Sequence, residues 1–113
     1  MSLNGPAIRA TVFLSEGDTW QGRPLHDEII RRARQRGLAG ATLSRGTEGF
    51  GRPSALHTDR LLSFSDDLPL VITIIDVEDR LRSFLAGAEH LLADCLVVLD
   101  EVHAFRIAGD GDG

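Results

Sequence analysis

The 113 residues predict an α+β domain in which two helices cover one face of an antiparallel sheet. Three observations carry that reading. Ile8 to Leu14 alternates apolar and polar residues with a period of two, as a half-buried strand does. Pro24 to Gly37 is an amphipathic helix with its own start and stop signals. Leu68 to Val77 is apolar on both sides and runs directly into a second helical pattern. With strands after each helix, the order becomes strand, helix, strand, strand, helix, strand. That is the split βαβ or ferredoxin-like arrangement, a single domain with both helices on one face because right-handed crossovers put them there.

The first strand sets Ile8, Ala10, Val12 and Leu14 on one face and Arg9, Thr11, Phe13 and Ser15 on the other. Residues 1–6 precede it as a flexible arm without periodicity. A polar loop, Glu16 to Arg23, carries the only tryptophan, Trp20. Pro24 opens the first helix at the position where a missing N–H costs nothing. Leu25, Ile29, Ile30 and Ala33 form its apolar stripe. Asp27 and Glu28 fall in its first turn and Arg31, Arg32, Arg34 and Arg36 crowd its last. Both placements suit the helix dipole, and Asp27–Arg31 and Glu28–Arg32 have ion-pair spacing. Gly37 is expected to end the helix in a left-handed conformation.

A second strand is expected from Ala41 to Arg45, and the third sets Leu70, Ile72 and Ile74 on one face and Val71 and Ile75 on the other. Asp76 is expected to cap a helix that reaches Leu92 along Leu81, Phe84, Leu85, Ala88 and Leu91. Cys95 to Leu99 and Val102 to Ile107 read as two short strands about an Asp100-Glu101 turn, giving four to five strands. The domain thus covers residues 7–108, with a long loop at 46–67 and a disordered tail at 109–113. The sheet face left open by the helices should be polar, yet Val71, Ile75 and Phe13 lie on it. An uncovered apolar face marks an interface, so a homo-oligomer is expected.

Composition narrows the chemistry. Twelve basic residues stand against 17 acidic ones, net −5, which argues against nucleic acid as a partner. All the basic residues are arginines. Schiff-base chemistry and Walker-type phosphate lysines are therefore excluded, and an anion must be met by arginine or by backbone N–H groups. Tyrosine is absent, and the one cysteine, Cys95, cannot form an internal disulfide, which fits a reducing, cytoplasmic setting. No segment is long and apolar enough to insert in a membrane as a helix.

The most unusual stretch is Arg45-Gly46-Thr47-Glu48-Gly49-Phe50-Gly51-Arg52-Pro53, too rich in glycine for regular structure. Together with His57-Thr58, Arg60 and Leu68-Pro69 leading into an apolar strand that ends at Asp76, it resembles the PII-like family, in the branch called domain of unknown function 190. The resemblance covers about Ala7 to Ile107. It implies a PII-like homotrimer whose sheets line a central axis, with a long loop after the second strand and ligand clefts between subunits. It also implies a non-catalytic signalling role, adenine nucleotides as ligands, and a protein partner, a membrane channel or transporter. The chain departs from the PII pattern between the second helix and the last strand. Gly87 to Cys95 there has one glycine and no lysine, so the usual triphosphate grip is missing.

Arg45, Gly46, Glu48, Gly49, Phe50, Gly51, His57 and Arg60 are accordingly the expected site for a small anion. Glycines at 46, 49 and 51 let backbone N–H groups converge, and the arginines add charge-assisted hydrogen bonds. The competing reading is a small enzyme or metal-tolerance protein that uses His57 and Glu48, with Asp59 and His103 as further ligands. No nucleophile, base and orienting group share a recognisable spacing, and no histidine or cysteine pair has metal-site spacing, so neither a catalytic residue nor a metal or other resident cofactor is expected. His26 and His90 are expected on helices, solvated or capping, and Trp20 is expected to shield the base of the first helix.

Overall fold

A computed structural model describes residues 3–46 and 68–108. Its elements run β1 (Asn4–Ser15), β2 (Thr19–Trp20), β3 (Arg23–Pro24), α1 (Leu25–Gln35), β4 (Gly40–Arg45), β5 (Pro69–Asp76), α2 (Glu78–Gly87) and β6 (Leu96–Phe105). Four of the strands form an antiparallel sheet in the order β4-β5-β1-β6, while β2 and β3 make a two-residue ribbon beside α1. This is the ferredoxin-like order that the element sequence predicts.

Period-two alternation fixes which side of the sheet is covered. Ile8, Ala10, Val12 and Leu14 of β1 and Leu70, Ile72 and Ile74 of β5 are buried beneath the helices. They meet Leu25, Ile29 and Ala33 of α1 and Leu81 and Phe84 of α2 in one core. Gly37 has φ +69° after α1, the left-handed stop expected of it.

Several local expectations need correction. β1 starts at Asn4, within the stretch read as an arm, because Asn4, Gly5 and Pro6 pair with Phe105, Ala104 and His103 of β6. A ladder needs backbone groups, not an apolar pattern. β6 is one continuous strand, not two short ones. The Asp100-Glu101 pair read as a turn lies in mid-strand, with Asp100 directly opposite Arg9 and their side chains joined at 2.6 Å. Opposite charges face to face stabilise a ladder, so here acidic residues mark a cross-strand pair.

α2 ends at Gly87, short of the expected Leu92. Glycine weakens the helix there, and the chain continues in turns in which Ala88 O accepts from the N–H groups of Leu91 and Leu92. Ala88 and Leu91 stay buried, which is why the apolar stripe continues past the end of the helix. Pro24 is the residue before α1, not its first helical residue. Asp76 does not cap α2 in the usual way. Its buried carboxylate accepts from the N–H of Val77, the N–H of Ala39 and Nε of Arg80, tying the end of β5 to the approach of β4. Arg80 reaches on to the carbonyls of Arg36 and Gly37, closing the end of α1.

Candidate functional site

Of the residues expected to hold an anion, Arg45 and Gly46 lie within the described structure. Glu48, Gly49, Phe50, Gly51, His57 and Arg60 lie outside the described residues, as do Arg52 and Asp59. Arg45 is the last residue of β4, opposite Leu70 of β5. Gly46 N–H donates to Pro69 O at 2.9 Å, and Glu16 N–H donates to Leu68 O at 2.9 Å. The chain is thus held on both sides of residues 47–67 by the ends of β1 and β5. At that point Arg45 donates from Nε and Nη2 to Oε2 of Glu16, at 3.3 and 3.2 Å. Both side chains are partly open to solvent.

Glu16 is a partner that the sequence reading does not single out, because a glutamate after a strand has no distinctive spacing. A tight turn sets its position. Ser15 N–H donates to Asp18 Oδ2 and Asp18 N–H donates back to Ser15 O. This β-turn, closed a second time by the Asp18 side chain, is built from local residues alone.

The open face of the sheet is the second site. Across the strands it presents rows: Leu96, Phe13, Val71 and Ser44; then Val98, Thr11, Thr73 and Thr42; then Asp100, Arg9, Ile75 and Gly40. Phe13 is 41% exposed, Val98 44% and Leu96 60%. Arg9, Thr11, Phe13, Thr73, Val98 and Asp100 line a shallow depression there. Arg9 makes two hydrogen bonds to the two oxygens of Asp100, so the charged row is internally paired. The expectation of an apolar open face holds for two rows in part, while the centre of the face is threonine.

A third cluster joins α1 to the turns that follow α2. Glu28 is 2% exposed and takes Nε and Nη2 of Arg31 at its two oxygens, with Arg32 Nε on Oε2 at 2.9 Å. Hydrogen bonds from Arg31 and then Arg32 hold its carboxyl down at about 2, against the penalty of burial. The Arg32 guanidinium lies 5.0 Å from the Trp20 ring centre, and its Nη1 lies 3.3 Å from His90 Nε2. His90 in turn meets Trp20 edge-on at 5.7 Å. Trp20 thus meets α1 at Arg32, in the helix's last turn. Of the two anticipated helix ion pairs, Glu28–Arg32 forms. Asp27–Arg31 does not, because Arg31 turns to the buried Glu28 instead, and Asp27 lies 3.3 Å from Nδ1 of the largely buried His26. His90 lies beyond the end of α2, in contact with an arginine, and is neither helical nor a cap. Glu28, Arg31, Arg32 and His90 are engaged with one another within the chain, so this cluster is a brace between elements.

Among the described residues no group of three or more histidine, cysteine, aspartate and glutamate side chains is placed to hold a metal ion, and no helix is long and apolar enough to cross a membrane.

Comparison with other proteins places this geometry. Residues 7–104 match the family described as DUF190 (Uncharacterized ACR, COG1993). A UPF0166 protein of Aquifex aeolicus (strain VF5) is 35% identical over 74 residues, which are 66% of this chain and 70% of that protein. The structure of CPII, a nitrogen regulatory PII-like protein from Thiomonas intermedia K12, bound to ADP, AMP and bicarbonate, superposes with a TM-score of 0.63 at 12% identity. The superposition covers 91% of this chain and 97% of CPII. CPII bound to ADP, AMP and acetate gives a TM-score of 0.62 at 16% identity, over 89% and 90% of the two chains. At those identities the likeness is one of fold. The family match takes in both helices and all four strands of the main sheet, so the chain belongs to the DUF190 (UPF0166) family and carries a PII-like fold.

Proposed function

We propose that this chain is a non-catalytic, cytoplasmic PII-like regulator. Three copies pack their open sheet faces around an axis, and a small anion, foremost an adenine nucleotide, binds beside Arg45 in the cleft between copies. The bound state is passed to a protein partner through residues 46–67, and a membrane channel or transporter is the class of partner that the family resemblance points to.

The observation that carries the reading is Arg45 itself. It ends an edge strand with its guanidinium half exposed and engaged, among the described residues, by a single oxygen. An arginine so placed keeps donors for a phosphate or carboxylate. The PII-like relatives in fold supply the ligand class, since CPII is bound to ADP and AMP together with bicarbonate or acetate. The partly apolar open face supports the assembly. Phe13, Leu96 and Val98 sit together on it and gain from burial against a second copy.

Light scattering and calorimetry test both halves. A particle of three times the 12.3 kDa chain mass is expected, binding ADP or AMP with an affinity that Arg45→Ala abolishes while melting stays close to wild type. A monomer at micromolar concentration would end the assembly reading. Hydrolysis of the nucleotide with turnover would end the non-catalytic one.

A further inference from the structure

Glu16 touches both flanks of residues 47–67, and its two contacts differ in kind. Its backbone N–H is fixed on Leu68 O, while its carboxylate lies on Arg45. We infer that this carboxylate is a built-in competitor for the anion that Arg45 takes, and so sets the affinity of the site. The inference rests on the reading of Arg45 given above and adds the regulation of that site.

Geometry supports displacement. An arginine meets a carboxylate or phosphate best through two parallel N–H···O bonds to two oxygens. Here Nε and Nη2 crowd onto one oxygen, Oε2, at 3.3 and 3.2 Å, both long for charged partners. Compare Arg9, which reaches both oxygens of Asp100, one of them at 2.6 Å, and Arg31, which reaches both oxygens of Glu28. Those arginines are committed. Among the described residues Arg45 is held loosely, in a pair whose side chains are 51% and 29% exposed. Exposed single pairs contribute little stability, so a bidentate anion can replace Glu16 at small cost.

Return is equally built in. The Ser15–Asp18 turn and the bond to Leu68 pin the backbone of Glu16, so the carboxylate stays within reach of Arg45 after displacement. An intramolecular rival of this kind acts at a high effective concentration. It also selects by chemistry. A ligand must offer two anionic oxygens to do better than Glu16, which favours phosphates and carboxylates over halides.

Titration calorimetry with ADP, and separately with inorganic phosphate, at low ionic strength checks the inference on four proteins: wild type, Glu16→Gln, Arg45→Ala and the double variant. Glu16→Gln is expected to bind about two- to five-fold more tightly, the range an exposed ion pair supplies. Arg45→Ala and the double variant should bind equally weakly, since without Arg45 there is nothing to compete for. Equal or weaker binding by Glu16→Gln, with Arg45→Ala still defective, would overturn the competitor role and leave the Arg45 site standing. Wild-type affinity in Arg45→Ala, or no binding by any of the four, would overturn the site and the competitor with it. Overlaid melting curves for wild type and Glu16→Gln keep a folding defect from passing for a change in affinity.

Discussion

The two faces of β1 carry side chains of similar bulk and have different fates. On the covered face Val12 and Ala10 are fully buried and stand opposite Ile72 and Ile74. On the other, Phe13 and Thr11 stand opposite Val71 and Thr73, and Phe13 keeps 41% of its surface in water. Apolar character alone therefore does not distinguish a core from an open sheet face. What differs is the company. The covered rows are aliphatic until Asp76, whose buried carboxylate is paired with Arg80 at the end of β5, whereas the open rows have threonines at their centre and end in the solvent-exposed pair of Arg9 and Asp100. That mixture is the surface that the proposed packing of copies would cover.

The sharpest way to test the contrast is to damage each face in turn. Ile72→Ala on the covered face should cost about 2–5 kcal/mol, because a fully buried isoleucine loses both its transfer energy and its packing. Chemical denaturation reads this directly, and a loss below ~1 kcal/mol would mean that the face is less tightly packed than its burial implies. Phe13→Asp on the open face should leave a folded chain while reducing the mass seen by light scattering to that of one copy, since a charge would have to be buried unpaired in the assembly. Retention of the larger mass would show that association uses another surface.

The smallest effect is on the acid side of stability. The carboxyl of Glu28 is held at about 2 in the folded chain, below its ordinary value. Its contribution is complete above the ordinary carboxylate range and is lost as pH falls through that range toward 2. Melting temperature should therefore decline more steeply in that window for wild type than for Glu28→Gln. Parallel curves would mean that the two arginines contribute nothing through this charge.

Much of this architecture is legible in the residues. Alternation at Ile8–Leu14 and the bracket of Pro24 and Gly37 identify their elements because both signals are local. Misreadings fall where tertiary pairing decides. Asp100-Glu101 looks like a turn until Arg9 is placed opposite it, and Arg31 prefers Glu28 to Asp27 because Glu28 is buried. At the candidate site, the glycine-rich motif singles out Arg45 and Gly46, while Glu16, the partner of Arg45, is 29 positions away in sequence and carries no such signal. Trp20, Arg32 and His90 meet only once the chain has folded, so no spacing in the sequence announces them.

The brace around Trp20 also gives the molecule a lamp. The chain has one tryptophan and no tyrosine, so its ultraviolet emission comes essentially from a single indole. That indole has Arg32 of α1 over its ring and His90, from the turns after α2, at its edge. Three separate parts of the chain thus meet at one chromophore. Any loosening between them, whether by heat, by a partner or by a ligand, changes the colour and brightness of light from one known place, with no label attached.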